Sequence, residues 1–271
     1  MNYIMLKTTL KAVIKKNWKI YSRNFPIVFF INRILIKFYA ILSGWLMSTI
    51  LFNGELSTMF YQSTPMTNYM TFLVTGIAFH NLSIGLIMNV SRALMTEHRN
   101  GTLLNMLISP FSRVGYFLGV FIEQFFRLML ELVIILIIGG LFGANIFSIP
   151  FYYWVIGIGI TIIFIFPLAL ILNNIILFLG DAFLPQNTLF YLMIFLCGVN
   201  FPIEYFPKNI QYICYCLPLT QVLKIFRILA SGNDMQQLIH LITSGCIVSI
   251  FFLIIGIVSY KKIETKIAEY L

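Results

Sequence analysis

Six apolar stretches dominate the chain, at roughly 34–54, 68–91, 114–142, 150–172, 184–201 and 237–260. Each is close in length to the ~20 residues a helix needs to cross a hydrocarbon core about 30 Å thick. In hydrocarbon the backbone must satisfy its own N–H and C=O groups, so a helix is the form open to such segments. The sequence therefore predicts an all-α, polytopic membrane protein with six transmembrane helices. Composition agrees, with 60% hydrophobic and only 10% charged residues and a mean hydropathy of +0.92, where soluble domains carry about a quarter charged residues.

The charges give an orientation. Eight of the eighteen Lys and Arg precede residue 38, with no Asp or Glu among them. The 92–113 connection holds Arg92, Arg99 and Arg113, and the tail holds Lys261, Lys262 and Lys266, while 55–67 and 143–149 contain no Lys or Arg. The positive-inside rule then places both termini in the cytoplasm, and the +9 balance marks a membrane face rather than a nucleic-acid site. Arg33 and Lys37, at the inner end of the first span, are expected to snorkel to that face.

Before the first span, residues 1–24 are not a crossing. Lys7, Lys11, Lys15, Lys19 and Arg23 recur every fourth residue beside Leu6, Leu10, Val13, Ile14, Trp18 and Tyr21. This is the pattern of an amphipathic helix lying in the interface against lipid headgroups. No cleavable signal, repeat or linker is visible, so residues 1–271 read as one membrane domain. Cys197, Cys214, Cys216 and Cys246 show no metal-ligand spacing, and Cys214 and Cys216 would point to different helix faces.

Three places can carry function. On the cytoplasmic side, EHRNGTLLNMLISP (Glu97 to Pro110) has Gly101 for a turn, Thr102 for a helix cap and Pro110 for a stop. Leu103, Met106 and Leu107 share a face of that short helix, with Leu104 and Ile108 beside them. Pattern alone leaves two covers open for it: the chain's own helices and lipid, or a soluble partner. In the third span, Glu123, Arg127 and Glu131 lie at i, i+4 and i+8, with His80 and Asn81 midway along the second. Such charges are costly in lipid, so this face either lines a polar pathway or fixes helix packing. Between the last two spans, 202–232 carries Pro202, Pro207 and Pro218, with two short amphipathic helices expected after Pro207 and around Thr220 and Arg227. Their Phe and Tyr residues suit a re-entrant hairpin in the outer interface.

Enzyme signals are missing. The sequence has no G-x-S-x-G elbow and no H-E-x-x-H pair, and His80, His98 and His240 are scattered. It has no potassium-filter sequence and no Walker A loop with which to cradle ATP. An intramembrane enzyme built on His80 and the Glu123 ladder, or a passive channel, would work without ATP.

Two stretches together resemble the type-2 ATP-binding-cassette exporter permease family. Glu97, Arg99, Gly101, Thr102, Leu103, Leu107, Ser109 and Pro110 are similar to one family pattern. Gly198, Phe201, Pro202, Pro207, Ile210, Ile213, Pro218, Leu219, Thr220 and Arg227 are similar to a second. Leu104 departs from the acidic residue found there in many members, and Asp181 matches a common acidic position loosely. The resemblance implies that 103–108 is a coupling helix docking on a separate cytoplasmic ATPase subunit, which binds the ATP and Mg that this chain does not. It implies pairing with a second copy or a paralogue in a bacterial plasma membrane, and an outer gate at 202–232. The Leu217–Thr220 ending and the apolar second and fifth spans look like members exporting hydrophobic drugs, antibiotics or lipid-like molecules. The alternative is a lipid-linked polysaccharide or teichoic-acid precursor.

Overall fold

The computed structural model describes residues 3–23, 27–51, 58–66, 68–102, 112–232 and 235–269. Regular structure among them is helical throughout: α1 (Tyr3–Arg23), α2 (Ile27–Leu46, continued by a π-helical turn, Met47–Leu51), α3 (Thr58–Ser63), α4 (Tyr69–Arg99), α5 (Arg113–Leu141), α6 (Phe151–Leu179) and α7 (Phe183–Leu196). A 3-10 turn (Ile203–Tyr205), α8 (Lys208–Tyr215), α9 (Pro218–Ser231) and α10 (Met235–Glu269) complete the order. The all-α membrane fold is as the sequence predicts.

Among the described residues, four helical stretches are long and apolar enough to cross a membrane: Ile31–Ile50, Tyr69–Ala93, Phe151–Leu179 and Gln236–Tyr260. Helix α5 has 29 residues, about 43 Å at 1.5 Å per residue, but carries Glu123, Arg127 and Glu131 in its middle. Helix α7 is shorter than expected. It spans 14 residues, about 21 Å, because the chain turns at Gly198, whose φ of 72° is left-handed and favours glycine. The expected 173–183 connection also contracts. Asn173 and Asn174 are buried within α6, where Asn174 Nδ2 donates to the Gly256 carbonyl of α10 at 2.8 Å. Only Gly180–Ala182 link α6 to α7, and the Phe183 and Leu184 N–H groups hold the Asp181 carboxyl below the usual carboxylate range.

Helix α4 is the centre, packed against α5, α6 and α9 and touched by α2 and α7. Its Phe79 stacks on Trp154 of α6, with centroids 5.9 Å apart, and meets Phe226 of α9 at 4.5 Å. Gly157 makes room for both rings, since a Cβ there would lie 2.7 Å from Phe226 and 2.9 Å from Phe79. Within lipid such packing holds by dispersion and shape, because tails are as apolar as the core.

Helix α1 docks on the first turns of α5. A Cβ on Gly115 would come within 3.0 Å of the Leu6 carbonyl, and one on Gly119 within 3.0 Å of Val13. Thr9 Oγ1 accepts from the Ser112 N–H at 3.2 Å. Lys7, Lys11, Lys15 and Lys19 stay exposed, and so does Trp18 at 62%. Part of the apolar face expected to meet lipid thus meets α5 instead.

Candidate functional site

Glu97, near the end of α4, is expected as an outer flank of the 103–108 helix, but it is 5% exposed and turned inward. Lys16 of α1 donates to its Oε1 at 2.5 Å, Tyr116 of α5 to the same oxygen at 3.3 Å, and Thr102 to Oε2 at 2.5 Å. The Thr102 N–H closes the turn on the Glu97 carbonyl at 3.0 Å, around Gly101 with φ 67°. One carboxylate therefore joins α1, α4, α5 and the entry to the 103–111 segment. Burial opposes its ionisation, but the Lys16 and Thr102 hydrogen bonds and the Lys16 charge prevail and hold the carboxyl below its ordinary range. Arg99 is exposed. Leu103, Leu104, Met106, Leu107, Ile108 and Pro110 lie outside the described residues.

The expected polar face in the bundle is assembled, but from more elements than the sequence suggested. Arg127 donates to Glu123 one turn away, and Gln124 Nε2 donates to Glu123 at 2.7 Å. Glu131 takes Arg33 of α2 at 3.0 Å and Asn81 of α4 at 3.2 Å. Arg33, expected to snorkel, is paired with this carboxylate where α2 lies against α5. His80 is 2% exposed and does not join this ladder; its ring meets Phe190 of α7 edge-on at 5.2 Å.

At the far end of α4, Arg227 of α9 is buried. It donates to the Gly198 carbonyl at 2.8 Å and the Phe72 carbonyl at 3.2 Å, with its guanidinium 3.5 Å from the centroid of the Phe72 ring. Pro202 and Pro207 precede the 3-10 turn and α8, Phe201 packs on Phe206 at 5.3 Å, and Pro218 opens α9 with Thr220 buried in its first turn. Helices α8 and α9 meet at 91°. Cys214 is buried and Cys216 exposed, and both are free thiols.

A cavity of about 650 Å³ lies between α2, α4, α7 and the 199–205 turn. Leu73, Ile77, Phe190 and Ile194 make its apolar walls, Tyr69 and Tyr205 lie toward one end, and Lys37 and His80 line it as well.

The family model of the ABC-2 type transporter matches residues 8–230. The chain belongs to the ABC-2 type transporter family. It is thus a membrane permease component of an ABC transporter, a part that is not itself catalytic. A comparison with curated proteins gives no match. In this ABC-2 permease, sequence reasoning found Glu97, Thr102 and Arg227 but missed their partners. Lys16 lies off the basic stripe of every fourth residue and is not singled out by it, and Tyr116 falls inside the third span. Gln186 gave no signal, although it is buried and binds Arg92, the Met88 carbonyl and Ser91. A neutral amide inside an apolar helix was the available hint.

Proposed function

We propose that this chain is the membrane subunit of an ATP-driven exporter, with six spans and both termini cytoplasmic. It pairs with a second copy or a paralogue and with two cytoplasmic ATPase subunits that bind ATP and Mg. Its cargo is a hydrophobic drug, antibiotic or lipid-like molecule. The observation that carries this reading is the Glu97 junction. Force applied to the 103–108 segment reaches α4 and α5 through the backbone, and the Glu97 carboxylate ties both of them to α1. Nucleotide would act by binding two conformations with different affinity, which is the only way a ligand shifts such an equilibrium. The hydrophobic residues Leu103, Met106 and Leu107 would fill a groove on the ATPase, and α8 and α9 would form the outer gate. The mostly apolar cavity wall supports a hydrophobic cargo over a glycan precursor.

The test is co-purification with the ATPase and cargo-stimulated ATP hydrolysis in lipid, for wild type, Leu103→Asp and Leu107→Asp. The expected result is loss of association or of stimulation in both variants, with the permease still folded. An ATPase that never co-purifies, or variants that behave as wild type, would overturn the reading.

A further inference from the structure

Among the described residues, the three cations Arg33, Lys37 and Arg127 outnumber the two carboxylates Glu123 and Glu131 in this region. Glu131 is ion-paired with Arg33 at Oε1, which makes no hydrogen bond, and accepts from Asn81 at Oε2, and Glu123 is engaged by Arg127 and Gln124. Lys37, one turn beyond Arg33 on α2, makes no hydrogen bond or ion pair with any described residue. It is half-buried and lines both the 650 Å³ cavity and a small void shared with Arg33 and Glu131. On the facing wall, His80 Nε2 is buried without a hydrogen-bond partner. A lysine and an imidazole nitrogen without partners are expensive in a low-dielectric site. The rest of the lining is mostly hydrocarbon and aromatic, with Ser43 and Asn200 as its other polar side chains besides the tyrosines. Along α4 it runs from Tyr69 to His80, about 16 Å, so a chain of dodecyl length fits beside it.

We propose that the cavity binds an amphiphile with an anionic head, a carboxylate or phosphate, with Lys37 as its counter-ion and His80 as a second donor. This rests on the permease reading and narrows its cargo from hydrophobic molecules in general to hydrophobic anions. A neutral or cationic molecule of the same shape would leave Lys37 unpaired and bind less well. The same chemistry is offered by a resident anionic phospholipid and by a transported acid, and both would meet the same two side chains.

The test uses the purified full chain in phosphatidylcholine nanodiscs, with dansylaminoundecanoate as the fluorescent probe. Dodecanoate, dodecyl phosphate, dodecanol and dodecylamine are the competitors. The anions are expected to displace the probe at concentrations roughly tenfold lower than dodecanol or more, a difference of about 1.4 kcal/mol. Lys37→Met should abolish that preference while keeping dodecanol binding, which shows that the cavity is intact. Lys37→Arg should retain the preference, and His80→Leu should reduce it. Doping the discs with phosphatidylglycerol separates the sources: competition identifies a lipid occupant, and no competition a free acid. Equal binding of dodecanol and dodecanoate, or a Lys37→Met protein that still prefers the anions, overturns the proposal. No ATPase is required, so either result leaves the exporter reading to its own test.

Discussion

Arg227 and Glu97 are buried charges at opposite ends of α4, and each ties three or more elements together. Their partners differ in kind. Arg227 is held by two backbone carbonyls and the face of Phe72, all neutral and all within the core. Glu97 is held by a lysine that is 44% exposed and by two hydroxyls, one from the turn before 103 and one from α5. Neutral backbone partners cannot be titrated or screened. A solvent-accessible ammonium can be screened, and a hydroxyl can rotate away. The first knot is insensitive to salt and to mild changes of pH, while the second is built so that it can release and re-form.

The sharpest break of this contrast is Arg227→Met. It strands the Gly198 carbonyl in the core, while the Phe72 carbonyl keeps the Thr75 hydroxyl, and at about 1–3 kcal/mol for an unsatisfied buried group it should lower thermal stability in detergent more than any change at Glu97. Arg227→Lys keeps the charge but not the two-pronged fork, and should fall between. Glu97→Gln should cost less, about 1–2 kcal/mol. Its more specific mark is faster hydrogen exchange in α1 and around Thr102, with the α9 amides unchanged.

A third prediction concerns pH. The Glu97 carboxyl is depressed below its ordinary value, so its contribution is complete above the unfolded-chain value near about 4.3. That contribution is lost as pH falls through the lower folded value. The protection of the α1 amides, taken relative to intrinsic exchange at each pH, should be flat from neutral to mildly acidic pH and fall only in stronger acid, and Glu97→Gln should remove that fall. The smallest effect belongs to Lys16→Ala. An ion pair with one exposed partner is worth about 0–1 kcal/mol, and added salt should shrink the difference from wild type. If Lys16→Ala matched Arg227→Met in cost, the contrast between a fixed and a releasable end would collapse.

Much of this was legible in the sequence where one helix explains itself. The basic stripe of α1, the Gly101 turn, the prolines bounding α8 and α9 and the charged face of α5 follow from periodicity and from residues with restricted backbones. What was not legible depends on a second helix. Arg33 and Lys37 looked like snorkelling residues because the sequence does not say that α2 meets α5 at Glu131. Asn173 and Asn174 looked like a turn because the partner of Asn174, the Gly256 carbonyl, is over eighty residues away, and Asn173 in turn donates to Asn174. The shortness of α7 turns on a single left-handed glycine inside an apolar run, where the hydrophobic pattern continues past the point at which the helix stops.

The burial of every residue in 70–87 of α4 has a consequence for how the chain is made. This helix leaves the ribosome before α5, α6 and α9, the elements that cover it, and it carries His80, Asn81, Thr75, Ser83 and Ser91 on surfaces that lipid never touches in the finished molecule. Between insertion and burial it waits with polar groups facing hydrocarbon. Biogenesis must therefore pass through a nascent state that is poorly suited to the bilayer. Substitutions that slow the arrival of α6 or α9 would be felt as degradation of new chains, even where the mature permease tolerates them.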